Sequence, residues 1–224
     1  MSKSSVIKKS EAVPATSSQN FFERYGQAAA GRSWVGDLGR FSKFGNYVLG
    51  AENIEIPLGT KAAAYMQTFC VGFVHWENLR RIEQVMGPIA EGYVPPPRSE
   101  LGLTDQSAWE QYDDGRPKDP WQFTNTIVFK EMEGDRFFTF TTSSKGGLNA
   151  LGQLSTAYGH HMRAHPDEYP IVALERGSYQ HPNRSYGEIR FPIFRIDGYV
   201  LIKNLPPLEG FGPTPAIEAS GGKF

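Results

Sequence analysis

Apolar and polar positions alternate most clearly between Trp121 and Thr142. Trp121, Phe123, Asn125, Ile127 and Phe129 interleave with Gln122, Thr124, Thr126, Val128 and Lys130, a period of two that predicts a half-buried strand. Glu133-Gly134-Asp135 carries turn chemistry, and the return run Arg136–Thr142 is rich in aromatic and β-branched residues, so a hairpin is expected. The period then changes. After Ser143-Ser144-Lys145-Gly146-Gly147, the residues Leu148, Leu151, Leu154, Tyr158 and Met162 recur every three or four positions, which predicts a helix over 146–163 ended by Pro166.

The same reading places strands at Phe41–Leu49, Ile54–Ile56, Tyr65–Trp76, Pro170–Glu175 and Glu188–Leu201. Phe69, Val71 and Phe73 share one face of the third of these, and Met66, Cys70 and Val74 are assigned to the other. Apolar residues on both faces predict a central strand. Pro192 requires an edge or a bulge. Leu79–Asp119, with five prolines and a dense charge mix, is expected to be a long irregular excursion.

The element order suggests a mainly β fold with one principal helix. The expectation is an OB-like five-stranded Greek-key barrel with its helix between strands three and four. Tyr65–Trp76, Trp121–Lys130 and Arg136–Thr142 would be its first three strands, and 171–175 and 188–201 would close it. An SH3-like barrel or a small sandwich is the rival. The expected organisation is a disordered arm over 1–20, a single domain over 21–203 and a flexible tail over 204–224.

The 24 Gly, 16 Pro and 15 Phe suit many short strands and turns rather than a helical bundle. A net charge of −1 excludes a globally basic nucleic-acid binder but leaves room for a local basic groove. The single cysteine, Cys70, rules out a disulfide framework or a zinc knuckle and suits a reducing, cytoplasmic setting. No apolar run approaches the ~20 residues of a membrane span, and no signal-peptide pattern is visible.

Three blocks carry a resemblance: Trp109 with Asp113-Asp114-Gly115 and Asp119-Pro120-Trp121-Gln122; Thr139 through Gly147; and Ser178-Tyr179 with Tyr186-Gly187 and Pro192-Ile193-Phe194. Over roughly residues 40–200 the chain resembles a family of bacteriophage and prophage proteins. In outline that family is similar to phage single-stranded-DNA-binding proteins of the OB fold. The resemblance implies a phage-type single-stranded-DNA-binding protein of replication or recombination. It would act in the bacterial host cytoplasm, with no catalysis and no cofactor. Its partners would be single-stranded DNA, replication or recombination proteins, and further copies of itself. Proteins of that kind often end in an acidic tail with a terminal Phe. Here Lys223 precedes Phe224 and acids are sparse.

A single-strand groove needs rings for base stacking and cations that follow the backbone. The candidates are the rings Tyr65, Trp76, Trp121, Phe123, Phe138 and Phe140 and the cations Lys43, Arg80, Lys130, Arg136 and Lys145. Ser143–Gly147 offers a phosphate site at a helix start, or an ordinary cap on Ser144. His160, His161 and His165 cluster at the helix end. His161 and His165 are four apart, a spacing able to hold a metal, although cations are favourable at that end of a helix in any case. Acids at 113, 114, 119, 131, 133 and 135 admit a metal-dependent nuclease as an alternative, but turns are rich in acids. A non-enzymatic phage interaction or structural protein is the other alternative. No metal and no catalytic residue are assigned.

Overall fold

Strand β4 (Lys61–Glu77) is the longest strand among the described residues of the computed structural model, in which residues 35–78, 80–112 and 115–208 are described. The expected arm over 1–20, the segment 21–34, Asp113, Asp114 and the tail from 209 lie outside the described residues. Contacts divide the chain between Ser33 and Trp34, and the fold described here belongs to the second unit.

After the exposed Lys61, Ala62, Ala63 and Ala64 give β4 a slim, fully buried start, where strands pair with it on both edges. One edge is held along most of its length by β8 (Trp121–Glu131). The other edge changes partner. It pairs with β10 (Glu168–Gln180) at Lys61–Ala63 and with β5 (Arg80–Pro88) at Cys70–Glu77. The β4–β8 ladder breaks between Tyr65 and Cys70, and Thr68 fills the gap. Its Oγ1 accepts from Val128 N at 2.9 Å and donates to Tyr65 O at 2.7 Å, so the interrupted backbone keeps partners.

β8 turns back as β9 (Phe137–Thr142). Helix α1 (Lys145–His161) follows, with Ser144 as its N-cap: Oγ accepts from Gly147 N at 3.1 Å. Its buried stripe is Gly147, Ala150, Leu151 and Leu154. β10 then forms a long hairpin with β11 (Glu188–Leu201), an edge strand, which is how Pro192 is accommodated.

The expected five strands thus occur in the expected chain order, but they do not close an OB barrel. The free edge of β9 pairs in parallel with β1 (Asp37–Phe41), which leads to β2 (Tyr47–Leu49) and β3 (Ile54–Ile56). The result is a nine-stranded sheet of mixed topology, in the order β11-β10-β4-β8-β9-β1-β2-β3 with β5 attached to β4. Phe41–Leu49 is not one strand, because a turn closed by Gly45 N donating to Ser42 O at 3.0 Å splits it.

The sheet curls until β2 reaches β10 and β11. Tyr47 Oη donates to Glu175 O at 2.9 Å and lies 3.1 Å from Ile193 O. Inside the curl Phe129, Phe138, Phe140, Phe194 and Tyr47 pack ring on ring, with Leu151 and Leu154 of α1 in the same core. The region 79–119 is not an irregular loop. Besides β5 it holds the short pair β6 (Glu110–Gln111) and β7 (Pro117–Lys118), and Arg98 forks onto Asp119 with its Nε 2.8 Å from Oδ2. Arg and Glu on β5 mask its strand pattern, as suits an edge strand.

Burial drives the phenols of Tyr47, Tyr65 and Tyr169 upward, Tyr65 to about 12. A phenol that stays neutral when folded but ionises at about 10 when unfolded binds more protons in the native state at alkaline pH. Its contribution is complete below about pH 10 and is lost as the pH climbs through the folded value. The urea midpoint is therefore expected to fall between about pH 10 and 12, and less steeply in Tyr47→Phe. A midpoint equally steep in wild type and variant would contradict a buried Tyr47.

Candidate metal centre

The eleven residues expected to form a single-strand groove do not make one. Tyr65, Trp121, Phe138 and Phe140 are sealed in the interior. Tyr65 Oη donates to Pro206 O at 2.9 Å. Lys130 is buried, and its Nζ donates to Glu131 O and Gly134 O, both at 2.8 Å, across the hairpin turn. Arg136 is paired with Glu131. Lys43, Arg80 and Lys145 are exposed at separate places in the chain. Of the rings, Trp76 and Phe123 stay partly exposed, and Phe123 packs edge-on against Phe73 at 5.2 Å.

With neither an OB barrel nor a ring platform, the single-stranded-DNA reading is withdrawn. Nor do the acids among the described residues gather into a nuclease centre. Asp119 is held by Arg98 and Glu131 by Arg136, and Asp113 and Asp114 lie outside the described residues. Ser144 is occupied as a helix cap.

The helix end assembles a different group. His161 is the last residue of α1, His165 follows in the turn that Pro166 ends, and Glu168 opens β10. Ala164 N and His165 N both donate to His161 O at 3.1 Å, and Glu168 N donates to His165 O at 3.4 Å, so the turn is tied to the helix by its own backbone. Ile202 N donates to Asp167 O at 2.8 Å and anchors the turn to the end of β11.

The three side chains converge. His161 Nε2 lies 2.8 Å from Glu168 Oε2, and His165 Nδ1 lies 4.0 Å from Glu168 Oε1. All three ligand atoms fall within 4.8 Å of one another. The His161 ring lies flat against Tyr199 of β11, with centroids 3.4 Å apart and planes 7° apart, and His165 stacks on its other side at 4.6 Å. Two imidazoles and a carboxylate suit a borderline ion such as Zn2+, whose ligand atoms stand about 2.0–2.2 Å from the metal. The stacked Tyr199 fixes the His161 ring, and the exposed His165 can rotate onto an ion. The histidine pair was legible from spacing. Glu168 was not, because it lies beyond Pro166 and belongs to a strand; the signal was H-x3-H-x2-E read across the break.

Among the described residues no helix is long and apolar enough to cross a membrane. Comparison with protein-family models, with curated proteins and with solved structures gives no match, so the centre stands on its own geometry.

Proposed function

We propose that this chain is a metal-binding protein whose His161, His165 and Glu168 hold a divalent transition-metal ion of the zinc type. The observation that carries the reading is the convergence of three ligand atoms from three consecutive pieces of structure: helix end, turn and strand start. His161 and Glu168 share a hydrogen bond that a bound ion would replace. Binding then exchanges a proton for the metal. The ion would act as a tie that clamps the end of α1 to β10.

The test is thermal unfolding of untagged protein with and without Zn2+. At an ion concentration about 100 times the dissociation constant, binding contributes about 2.7 kcal/mol. For a chain of this size that raises the melting temperature by about 5–10 °C. Mg2+, which prefers oxygen ligands, is expected to give no shift. His165→Ala and Glu168→Gln should each abolish most of the zinc shift while melting like wild type without metal, and His160→Ala should keep it. A zinc shift that survives both ligand variants would refute the assignment.

A further inference from the structure

At the other end of β4 is a cavity of about 280 Å3, between His75–Asn78 and residues of 103–110 and 118–120. Its size is at the lower end for small-molecule sites, enough for a compact ligand. Trp76 and Trp109 provide aromatic walls. Four carboxylates line it, on Glu77, Asp105, Glu110 and Asp119, against Lys118 and the Arg98 guanidinium that forks onto Asp119. That balance disfavours phosphates and favours a positive guest.

Most of these charges are already engaged. Asp119 is forked by Arg98, Glu110 pairs with Lys118 at 2.9 Å, and Asp105 accepts from Ser107 N and Oγ. Two groups remain, His75 and Glu77, which meet at 3.4 Å. His75 has a side chain only 8% exposed, its ring stacked on Trp121 at 5.1 Å, and its Nε2 is buried without a hydrogen-bond partner. The nearest carboxylate oxygen, Glu77 Oε1, is 3.4 Å away but not placed to hydrogen-bond. A buried polar atom left unpaired is costly, because it gives up its bonds to water and gains none in return. With its proton on Nδ1, the imidazole presents Nε2 as an acceptor beside the Glu77 carboxylate. Two neighbouring acceptors next to an exposed indole match a planar cation with forked N–H donors.

The chain already uses this chemistry next door. The Arg98 guanidinium lies over the Trp109 ring at 5.5 Å while forking onto Asp119. From this repetition we infer that the cavity binds a guanidinium group, which stacks on Trp76 and donates to His75 Nε2 and Glu77. The group can arrive on a small alkylguanidine or on an arginine of a polypeptide, since the cavity reads the same five donors in either case.

Calorimetry and tryptophan fluorescence with three blocked amino acids test this: N-acetylarginine amide, its uncharged citrulline counterpart and the lysine counterpart. The arginine compound is expected to quench fluorescence saturably and to bind about tenfold more tightly than either of the others. Trp76→Ala and Glu77→Gln, both on exposed side chains, should each weaken binding about threefold to thirtyfold without moving the melting temperature. Ethylguanidine matching the blocked arginine points to a free ligand, and an arginine-containing peptide that binds more tightly still points to a polypeptide; both support the site. Absence of saturable binding, equal binding of the citrulline or lysine compound, or unchanged binding in both variants would overturn it.

Discussion

Replacing Phe140 by alanine is expected to destabilise the protein by about 3–5 kcal/mol, the usual cost of emptying an aromatic site in a core. Phe140 has no solvent exposure and packs edge-on against Phe194 of β11 at 5.2 Å. It also meets Tyr47 of β2 at 6.1 Å, so one ring on β9 ties β2, two places along the sheet order, to β11 at the opposite end of that order. Its loss removes the transfer free energy of the ring and leaves a void that the curled sheet cannot close, because Tyr47 is pinned by its contacts with the β10 and β11 backbones. For a chain of this length the loss corresponds to a melting temperature lower by about 6–20 °C. Phe123→Ala is the matched control. That ring is 38% exposed and should cost about 1 kcal/mol or less. Urea unfolding of both variants measures the difference, and equal small losses would show that Phe140 is not a core residue.

The same ring shows what the sequence made legible. Alternation in Arg136–Thr142 says correctly that Phe138 and Phe140 share a face, because the strand period is two whatever the fold. It does not say which face meets water. The opposite face of β9 is covered as well: Thr139 is buried, and its Oγ1 accepts from Val35 N and lies close to Val35 O, each at 3.0 Å. That cover comes from about a hundred residues upstream, and no local pattern encodes such a pairing. The same parallel partnership of β1 with β9 is what keeps the sheet from closing as a five-stranded barrel. Local signals were dependable where the chemistry is local, as in the Ser144 cap, the period of α1 and Pro192 on an edge strand. They failed where charge disguised a strand, as in β5, and where a site runs from a helix end through a proline turn into a strand. His161 and His165 are one helical turn apart and visible together, whereas Glu168 joins them only once Pro166 has redirected the chain. His75 carried no sequence signal, because its significance rests on an unpaired nitrogen that only packing reveals.

Gly72→Val should be the most damaging single change in the β4–β5 hairpin, at about 2–6 kcal/mol, because two penalties add. The first is conformational, since Gly72 has φ +153°, a region L side chains avoid. The second is steric: a Cβ there would fall 2.0 Å from Val85 O and 2.7 Å from Met86 Cα, both in the backbone of β5. A backbone neighbour cannot rotate aside, so β5 has to separate from β4. Gly59→Ala isolates the first penalty. Gly59 has φ +86° with nothing within 4 Å of an added Cβ, and its substitution should cost about 1 kcal/mol. In Gly72→Val the amides of β5 should lose hydrogen-exchange protection while those of β10 and β11, attached at the far end of the same edge of β4, retain theirs. The functional consequence follows from the same geometry. His75, Trp76 and Glu77 lie at the end of β4, where a register shift between His75 and Trp76 sets their directions against β5. Detaching β5 should therefore abolish guanidinium binding and spare the zinc-dependent rise in melting temperature, which depends on α1 and β10. Loss of both responses together would mean that the two ends of β4 unfold as one unit.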